Sequence, residues 1–450
     1  AANLIKQNTG ALIITNSNSN SGSVTISGGI VDVGNGGTAG NLGSGAISIA
    51  AGAELVVNRS NAITLSNVIS GNGQVTKRAA GRLTVNGNNA ANAVHWNFTG
   101  TNNGDISFAN ANALGGGGST ITVAENASGS AFINGTGNTS PVAISLGSGA
   151  AFTWNGATGN SNTITGVLSG SGALTKVSGE TLILSGANSY TGNITVSAGT
   201  LQIGGSGVLG DGSYAGNIAI TGVFAMNSSS NQTISGTISG AGRLDKANSG
   251  MLTLSGPNTY TGGTELTGGV LAVDSLSRLG TRTASLDNTG YLALKQGATL
   301  RYTGTSNEST SRRLYMDNGA ATIEVVNAAT TLTWDDDSNM LKNGNLTKAG
   351  DGTLVLADPL TGGTQTITVN GGTLHLTGVN TNGGAIAIQA GQLRVSNAGR
   401  LGGGAIANNG QLQFSYGGAT SVVVGQAISG TGSIVKTGAG ALSLTGSVTS

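Results

Sequence analysis

The sequence predicts an all-β chain folded as a right-handed, three-stranded parallel β-helix, a type of solenoid. Three observations predict it: a high glycine content, short apolar-rich triplets between turn residues, and internal repeats. Glycine supplies 80 of the 450 residues, which disfavours helices because an interior glycine costs about 1 kcal/mol relative to alanine. The chain is 37% hydrophobic and 8% charged, a balance unlike that of disordered chains.

The strands are recognised as short triplets bounded by Gly, Asn or Ser. In one stretch they lie at 173–175, 182–184, 194–196, 201–203, 218–220, 223–225 and 233–235. Strands this short are stable only when others stack on both sides. Three strands in each turn of about 19–24 residues describe a solenoid, and about twenty turns at ~4.8 Å spacing predict a rod on the order of 100 Å long. A β-propeller would need four-stranded antiparallel blades of about 40 residues, a period that does not occur.

Self-similarity at a fixed offset is the strongest signal in the sequence. Residues 169–203 and 239–273, displaced by 70 residues, are identical at fifteen positions without a gap. Partial copies lie near 70–87, 345–374 and 429–446. Because the copies span most of the chain, we predict a single β-helix domain over residues 1–450.

The two full copies resemble the passenger-associated repeat of Gram-negative autotransporters, in particular AIDA-type adhesins, and the size and lack of cysteine resemble the UpaB type. In this family the passenger is a β-helix exported through an outer-membrane β-barrel formed by the C-terminal part of the same polypeptide. The sequence stops at Ser450 without alternating amphipathic strands of about ten residues. We therefore expect this sequence to lack the barrel. We also expect that barrel to be the one part of the polypeptide that contacts a membrane.

The resemblance also implies an extracellular place on the bacterial cell surface and a function. Members of the family bind host matrix proteins such as fibronectin, or sulfated glycans including glycosaminoglycans, and others self-associate. We expect an adhesin that binds a matrix protein, a glycosaminoglycan or both through polar and charged ladders. Self-association between cells is the alternative, and a polysaccharide-cleaving β-helix enzyme is the alternative of another class.

Composition restricts the chemistry. With 19 basic and 18 acidic residues, the net charge of +1 supplies no field that would attract nucleic acid. The absence of cysteine excludes disulfides and thiolate metal sites. His95 and His375 are the two histidines, about a dozen turns apart, so no two-histidine metal site is expected. We predict no enzyme activity, no cofactor and no metal, although three consecutive carboxylates after Trp334 leave a Ca²⁺ site open.

Charge is concentrated in residues 251–350, which hold 17 of the 37 charged side chains. Two sets of candidate ligand-binding residues follow from this segment and from a repeated lysine. The candidates for glycan binding are the basic residues Lys246, Arg278, Arg282, Arg301, Arg312 and Arg313. The candidates for binding a protein ligand are the acidic residues Asp274, Asp287, Asp317, Asp335, Asp336 and Asp337. A solvated polar face without a ligand is an equally open interpretation.

The residues that recur in the repeats are given structural roles. Asn188 and Asn258, each followed two residues later by a tyrosine, are predicted to shape corners rather than bind a ligand. The repeated lysines are predicted to extend into solvent from corners; they are Lys77, Lys176, Lys246, Lys348 and Lys436. Leu184 recurs at 254, 356 and 444, so we predict an interior ladder of leucines.

Overall fold

The computed structural model describes residues 2–282, 290–317, 319–335, 344–360, 363–396, 401–418 and 421–449, without the side chain of residue 317. The chain divides into two compact units, residues 1–230 and 231–450. Each unit is built from short parallel strands and contains almost no helix, and the described strands form about 19 solenoid turns. The predicted all-β parallel solenoid is confirmed, and the extension of one domain over the whole chain stays a prediction.

The strands of the first unit fall into four parallel sets, which we call the first to fourth sheets. The first comprises Leu4–Lys6, Val24–Ile26, Ile47–Ile49 and Ile69–Ser70. The second comprises Ala11–Ile14, Ile30–Val33, Glu54–Asn58, Gln74–Arg78, His95–Phe98, Thr120–Val123, Ala143–Leu146 and Leu168–Gly170. The third comprises Ile63–Leu65, Leu83–Val85, Asp105–Phe108, Ser128–Ile133, Ala151–Gly156, Ala173–Lys176, Ile194–Val196 and Ile218–Ile220. The fourth comprises Asn138–Ser140, Ser161–Ile164, Thr181–Leu184, Thr200–Gly205 and Val223–Ser228.

Three further short elements belong to the first unit. They are the helix Ala111–Leu114, the 3₁₀ turn Gly210–Gly212 and the strand Ser213–Tyr214. The helix is a single turn in which the side chain of the N-cap residue Asn110 accepts a hydrogen bond from the N–H of Ala113.

The strands of the second unit likewise fall into four parallel sets, which we call the fifth to eighth sheets. The fifth sheet comprises Arg243–Lys246, Thr264–Leu266, Leu292–Lys295 and Leu314–Asp317. The sixth comprises Gln232–Ile234, Met251–Leu254, Val270–Val273, Thr299–Tyr302, Gly319–Val325, Gly344–Ala349, Ile367–Val369, Ile386–Ile388, Ile406–Asn408, Ile428–Ser429 and Val448–Thr449. The seventh comprises Glu308–Thr310, Thr331–Trp334, Thr353–Leu356, Thr373–Leu376, Gln392–Ser396, Gln411–Ser415 and Ser433–Thr437. The eighth pairs Ser421–Val424 with Ala441–Leu444, and the unit also holds the strand Ile238–Ser239 and the 3₁₀ turn Leu276–Leu279.

Alternation along each strand separates an inner from an outer column of side chains. In the strand Thr181–Leu184, Leu182 and Leu184 are buried, whereas Thr181 and Ile183 are partly exposed. In register, Leu184 lies between Ile164 and Ile203, which belong to the two neighbouring turns. Since successive side chains of a strand point to opposite faces, every turn adds its apolar residues to the core of its own unit.

Corners are closed by residues that accept a left-handed backbone. Gly199 and Gly269 hold the same position in the two full repeats and have φ of +64° and +65°. A Cβ atom at Gly199 would lie 2.3 Å from the carbonyl oxygen of Glu180, and one at Gly269 would lie 2.2 Å from that of Asn248. The repeat therefore requires glycine here, both for the backbone conformation and for the close approach of the neighbouring turn.

Candidate functional site

The outer face of the fifth sheet carries a dense group of charged and aromatic side chains. We call it the tyrosine surface and define it by Arg243, Asp245, Glu265, Tyr291, Lys295, Arg313 and Tyr315. Four adjacent strands hold it, so it extends about 14 Å across the strands at their ~4.8 Å spacing. In register, Asp245, Glu265, Ala293 and Tyr315 form one outward column.

Four of these side chains form a connected ion network. Arg243 donates to Asp245 through two hydrogen bonds, Nε to Oδ1 at 2.6 Å and Nη2 to Oδ2 at 2.8 Å. Its Nη1 lies 3.5 Å from Oε2 of Glu265, whose Oε1 accepts from Nζ of Lys295 at 2.7 Å. Burial raises the pKa of Asp245 although Arg243 opposes that shift. The network balances two positive against two negative charges.

The aromatic side chains of the surface also contact one another and their neighbours. The rings of Tyr291 and Tyr315 pack edge to face with their centroids 5.8 Å apart. Arg313 lies beside them, with its Cζ 5.9 Å from the ring centroid of Tyr315 and its Nη1 donating to the hydroxyl at 3.0 Å. Tyr291 packs against Gly263, where a Cβ atom would lie 2.7 Å from the ring. Glycine at 263 therefore allows the ring to lie close to the sheet.

Two of the five basic candidates outside this surface are paired with described acidic residues of the same chain. Nε of Arg278 donates to Oδ1 of Asp274 at 2.8 Å, and Nε of Arg301 donates to Oε2 of Glu324 at 2.7 Å. Arg282 donates to the main-chain oxygen of Ser311. Arg278 and Asp274, which belong to the two different candidate sets, thus form an ion pair with each other.

The expected position of Arg312 is wrong. It is 4% exposed, and its guanidinium donates to the main-chain oxygens of Gly290 and Gly280, the latter at 2.7 Å. Burial lowers its pKa. The signal was present in the sequence, because Arg312 stands two residues before the buried Leu314 and therefore shares its face. Arg312 tethers the two ends of the segment between Gly280 and Gly290 and is not displayed to a ligand.

The expected exposure of Lys246 is also wrong. It is 2% exposed, and Nζ donates to the main-chain oxygens of Ala247 at 2.6 Å and Asn248 at 2.8 Å. Burial lowers the pKa of Lys246 to about 8. Lys77, Lys176 and Lys348 are likewise fully buried and donate to carbonyl oxygens of the turn that follows, whereas Lys436 remains partly exposed. A lysine two residues after an inward leucine points inward, and the carbonyl oxygens of the corner compensate its charge.

The acidic candidates do not form one site among the described residues. Asp274 is the ion-pair partner of Arg278, and Asp335 is exposed directly after the strand that ends at Trp334. Asp287, Asp336 and Asp337 lie outside the described residues, as does the side chain of Asp317.

The corner interpretation of the repeated asparagines is confirmed. Oδ1 of Asn188 accepts from the N–H of Leu168 at 2.8 Å, and its Nδ2 donates to the carbonyl of Val208 at 2.9 Å. Oδ1 of Asn258 accepts from the N–H of Ile238 at 2.8 Å in the same way. Each side-chain amide bonds main-chain groups of a neighbouring turn where strand pairing does not. Tyr190 and Tyr260, which follow these asparagines in the repeat, are fully buried.

Among the described residues, both histidines contact hydroxyl groups, and Nδ1 of His95 lies 3.0 Å from Oγ1 of Thr120. His375 points outward as expected, is half-buried, and contacts Oγ of Ser396 through Nε2 at 2.7 Å. In register it lies between Val355 and Arg394, so its neighbours supply no carboxylate to orient the ring, and burial together with Arg394 lowers its pKa. Within the described ranges, no group of three or more His, Cys, Asp or Glu residues is placed to hold a metal ion.

The tyrosine surface is the group that sequence reasoning missed. Its members occur in RLDK, TEL, YLALK and RRLY, where charged or aromatic residues alternate with inward leucines. This alternation places them on an outer face. Their grouping depends on the pairing of strands separated by 20 to 30 residues, which no local pattern specifies.

Comparison with known proteins agrees with the repeat. The family model described as the passenger-associated-transport-repeat matches residues 4–33, 174–203, 244–273, 346–374, 369–395 and 434–450. By this repeat the chain is similar to autotransporter passenger domains. Four of these ranges coincide with repeat copies recognised in the sequence. The family model also matches residues 4–33 and 369–395, which were not recognised as copies, and it does not match the partial copy near 70–87.

A curated relative supports the same family. The chain is 35% identical over 256 residues to the "Adhesin BmaC autotransporter" of Brucella suis biovar 1 (strain 1330). The match covers 48% of this chain and 7% of that protein. No solved structure matches the chain. No helix among its described residues is long and apolar enough to cross a membrane. Similarity to autotransporter passengers implies export across the outer membrane to the cell surface.

Proposed function

We propose that this chain is an adhesin that binds a host extracellular-matrix protein, a glycan or both. The observation that carries the proposal is its similarity to the BmaC adhesin over about half of the chain. The similarity extends over 7% of that protein, so the binding partner of this chain is inferred from its own surface.

The outer columns of the solenoid suit repeated weak binding. On the third sheet, an outward column runs through Thr153, Thr175 and Thr195 in successive turns. On the seventh sheet, Thr353, Thr373, Gln392 and Gln411 form a similar column, in which Gln392 donates to Gln411. Hydroxyl and amide groups spaced at ~4.8 Å offer regular hydrogen-bonding positions, and many such contacts give avidity without a deep pocket.

We further propose that the chain is not an enzyme. The adhesin relative supports this, as do the ion pairs Arg278–Asp274 and Arg301–Glu324, which engage candidate charges within the chain. A serine hydrolase would need a carboxylate on the second ring nitrogen of its histidine, and the register neighbours of His375 are a valine and an arginine.

The direct test is a binding assay on immobilised fibronectin, laminin, collagen, heparin and neutral oligosaccharides with the purified 450-residue chain at several salt concentrations. We expect saturable binding to at least one of them. The matched variants are Arg301→Ala and Asp274→Ala, which each remove one member of an exposed ion pair. A sulfated polyanion would dissociate steeply as salt rises, because its counterions re-condense. Binding to none of these ligands, with aggregation of cells that display the chain, would favour self-association instead.

A further inference from the structure

The aromatic side chains of the chain are distributed very unevenly between core and surface. All three tryptophans, five of the seven tyrosines and five of the six phenylalanines are at most 1% exposed. The partly exposed exceptions are Tyr291, Tyr315 and Phe132. Two of these three lie in mutual contact on one sheet, and the third lies in the first unit. Surface aromatic area is therefore concentrated at the tyrosine surface.

The polar groups around the two rings are fixed before any ligand arrives. Arg243 is held by two carboxylates, Lys295 by Glu265, and Arg313 by the hydroxyl of Tyr315. A side chain held by neighbours loses little conformational entropy when it forms a further contact. Rigid tyrosines flanked by fixed hydrogen-bonding groups are typical of recognition surfaces.

Charge at this surface argues against a polyanion as ligand. Among its described side chains, the three cations are opposed by two carboxylates, Asp245 and Glu265, which lie in direct contact with Arg243 and Lys295. A sulfated chain would be repelled by these carboxylates or would have to displace them. A neutral ligand meets no such cost, because its hydroxyl groups both donate to carboxylate oxygens and accept from guanidinium groups.

The apolar groups of the surface argue against a protein as ligand. Protein interfaces bury a continuous apolar core inside a polar rim. The large apolar side chains that are exposed among the described residues lie elsewhere: Ile5, Ile13, Val68, Val167, Val326, Val379, Val423, Leu444 and Val448. At the tyrosine surface the apolar area consists of two rings beside Ala293, which is itself 3% exposed. Two aromatic rings surrounded by charged side chains suit a pyranose, which presents C–H groups on its faces and hydroxyl groups at its edges.

We propose that the tyrosine surface binds an uncharged oligosaccharide, with sugar rings packed on Tyr291 and Tyr315 and hydroxyl groups bonded to Asp245, Glu265 and Arg313. The length of about 14 Å across four strands accommodates a short oligosaccharide rather than a single sugar. The inference rests on the proposed adhesin function and names both its site and the class of its ligand.

The test measures binding of chitotetraose, maltotetraose and lacto-N-tetraose to the purified chain by calorimetry, with a heparin tetrasaccharide for comparison. At least one neutral probe should bind, and its affinity should change less than about threefold between low and high salt, since no counterions are released. Tyr291→Ala and Tyr315→Ala should each weaken binding about 2- to 10-fold, the range expected for one aromatic contact. Tyr315→Phe should keep most of the affinity.

The control variant is Phe132→Ala, which removes the other partly exposed aromatic ring and should leave binding unchanged. Thermal unfolding of each variant identifies any loss of fold. Failure of all three neutral probes to bind the wild-type chain overturns the assignment, and so does binding that is unaffected by both alanine substitutions. Adhesion of the wild-type chain to host cells is measured in parallel. Adhesion that both alanine variants retain overturns this inference and leaves the adhesin proposal intact, whereas a wild-type chain that binds neither cells nor any matrix ligand refutes the adhesin proposal itself.

Discussion

Replacing Leu184 with alanine tests the interior ladder on which the fold depends. The same repeat position is occupied by Leu254, Leu356 and Leu444. Leu184 is 1% exposed and the next two are fully buried, whereas Leu444 is 38% exposed. The chain therefore offers the same substitution in the same sequence context with and without burial. We expect Leu184→Ala to be strongly destabilising and Leu444→Ala to be nearly neutral.

The magnitude follows from the contacts. Leu184 lies between Ile164 and Ile203 in the inner column, with a packed turn on each side. Truncating a buried leucine removes its transfer free energy and leaves a cavity, which costs about 2–5 kcal/mol. Leu444 pairs with Val424 on one side within its two-stranded sheet. For this exposed position the loss should be below about 1 kcal/mol.

The measurement is guanidinium unfolding of the wild-type chain and both variants, followed by circular dichroism. Leu254→Ala, in the second unit, serves as a second buried case. Hydrogen exchange then reports whether the loss of protection is greatest in the turns next to the substitution, as expected when each turn contacts only its neighbours. Equal shifts of the unfolding midpoint for Leu184→Ala and Leu444→Ala would refute the assignment of an interior ladder.

Three further predictions concern buried polar groups. Because burial lowers the pKa of Lys246 to about 8 from 10.5, the folded chain releases this proton before the unfolded chain does. The free energy of unfolding of the wild type relative to that of Lys246→Met should therefore rise with pH between about 8 and 10.5. A difference between the two that does not change with pH across that range would contradict the prediction. Asn258→Ala removes the partner of two main-chain groups and should cost about 1–3 kcal/mol in denaturant unfolding, whereas a loss within about 0.5 kcal/mol would show the corner amide to be dispensable. Arg312→Met removes the donor shared by two main-chain carbonyls and should accelerate tryptic cleavage after Arg282, with Arg301→Met as the exposed control; equal cleavage rates would mean that Arg312 does not tether this segment.

Several features of the solenoid were predictable because they depend on short-range rules. A period of two assigns Leu182 and Leu184 to the interior regardless of what lies in neighbouring turns. The spacing of Asn188 and Tyr190 within a glycine-rich stretch predicted a corner, since asparagine satisfies main-chain groups where no strand can form. The same rule of alternation would have placed Lys246 and Arg312 inside, had it been applied to charged residues as strictly as to leucines.

The parallel solenoid, its inner ladders and its corners could be predicted from the sequence, because strand alternation and turn chemistry act over a few residues. The contacts between charged side chains and the position of the exposed tyrosines depend instead on how distant strands pair. Glu265 reaches Lys295 across 30 residues, and Tyr291 reaches Tyr315 across 24, through the register of adjacent strands. That register depends on the lengths of the connections between strands, which vary from turn to turn. Burial of Lys246 was likewise decided by the corner carbonyls that surround it, because the free energy of a buried charge depends on the partners that the folded chain supplies.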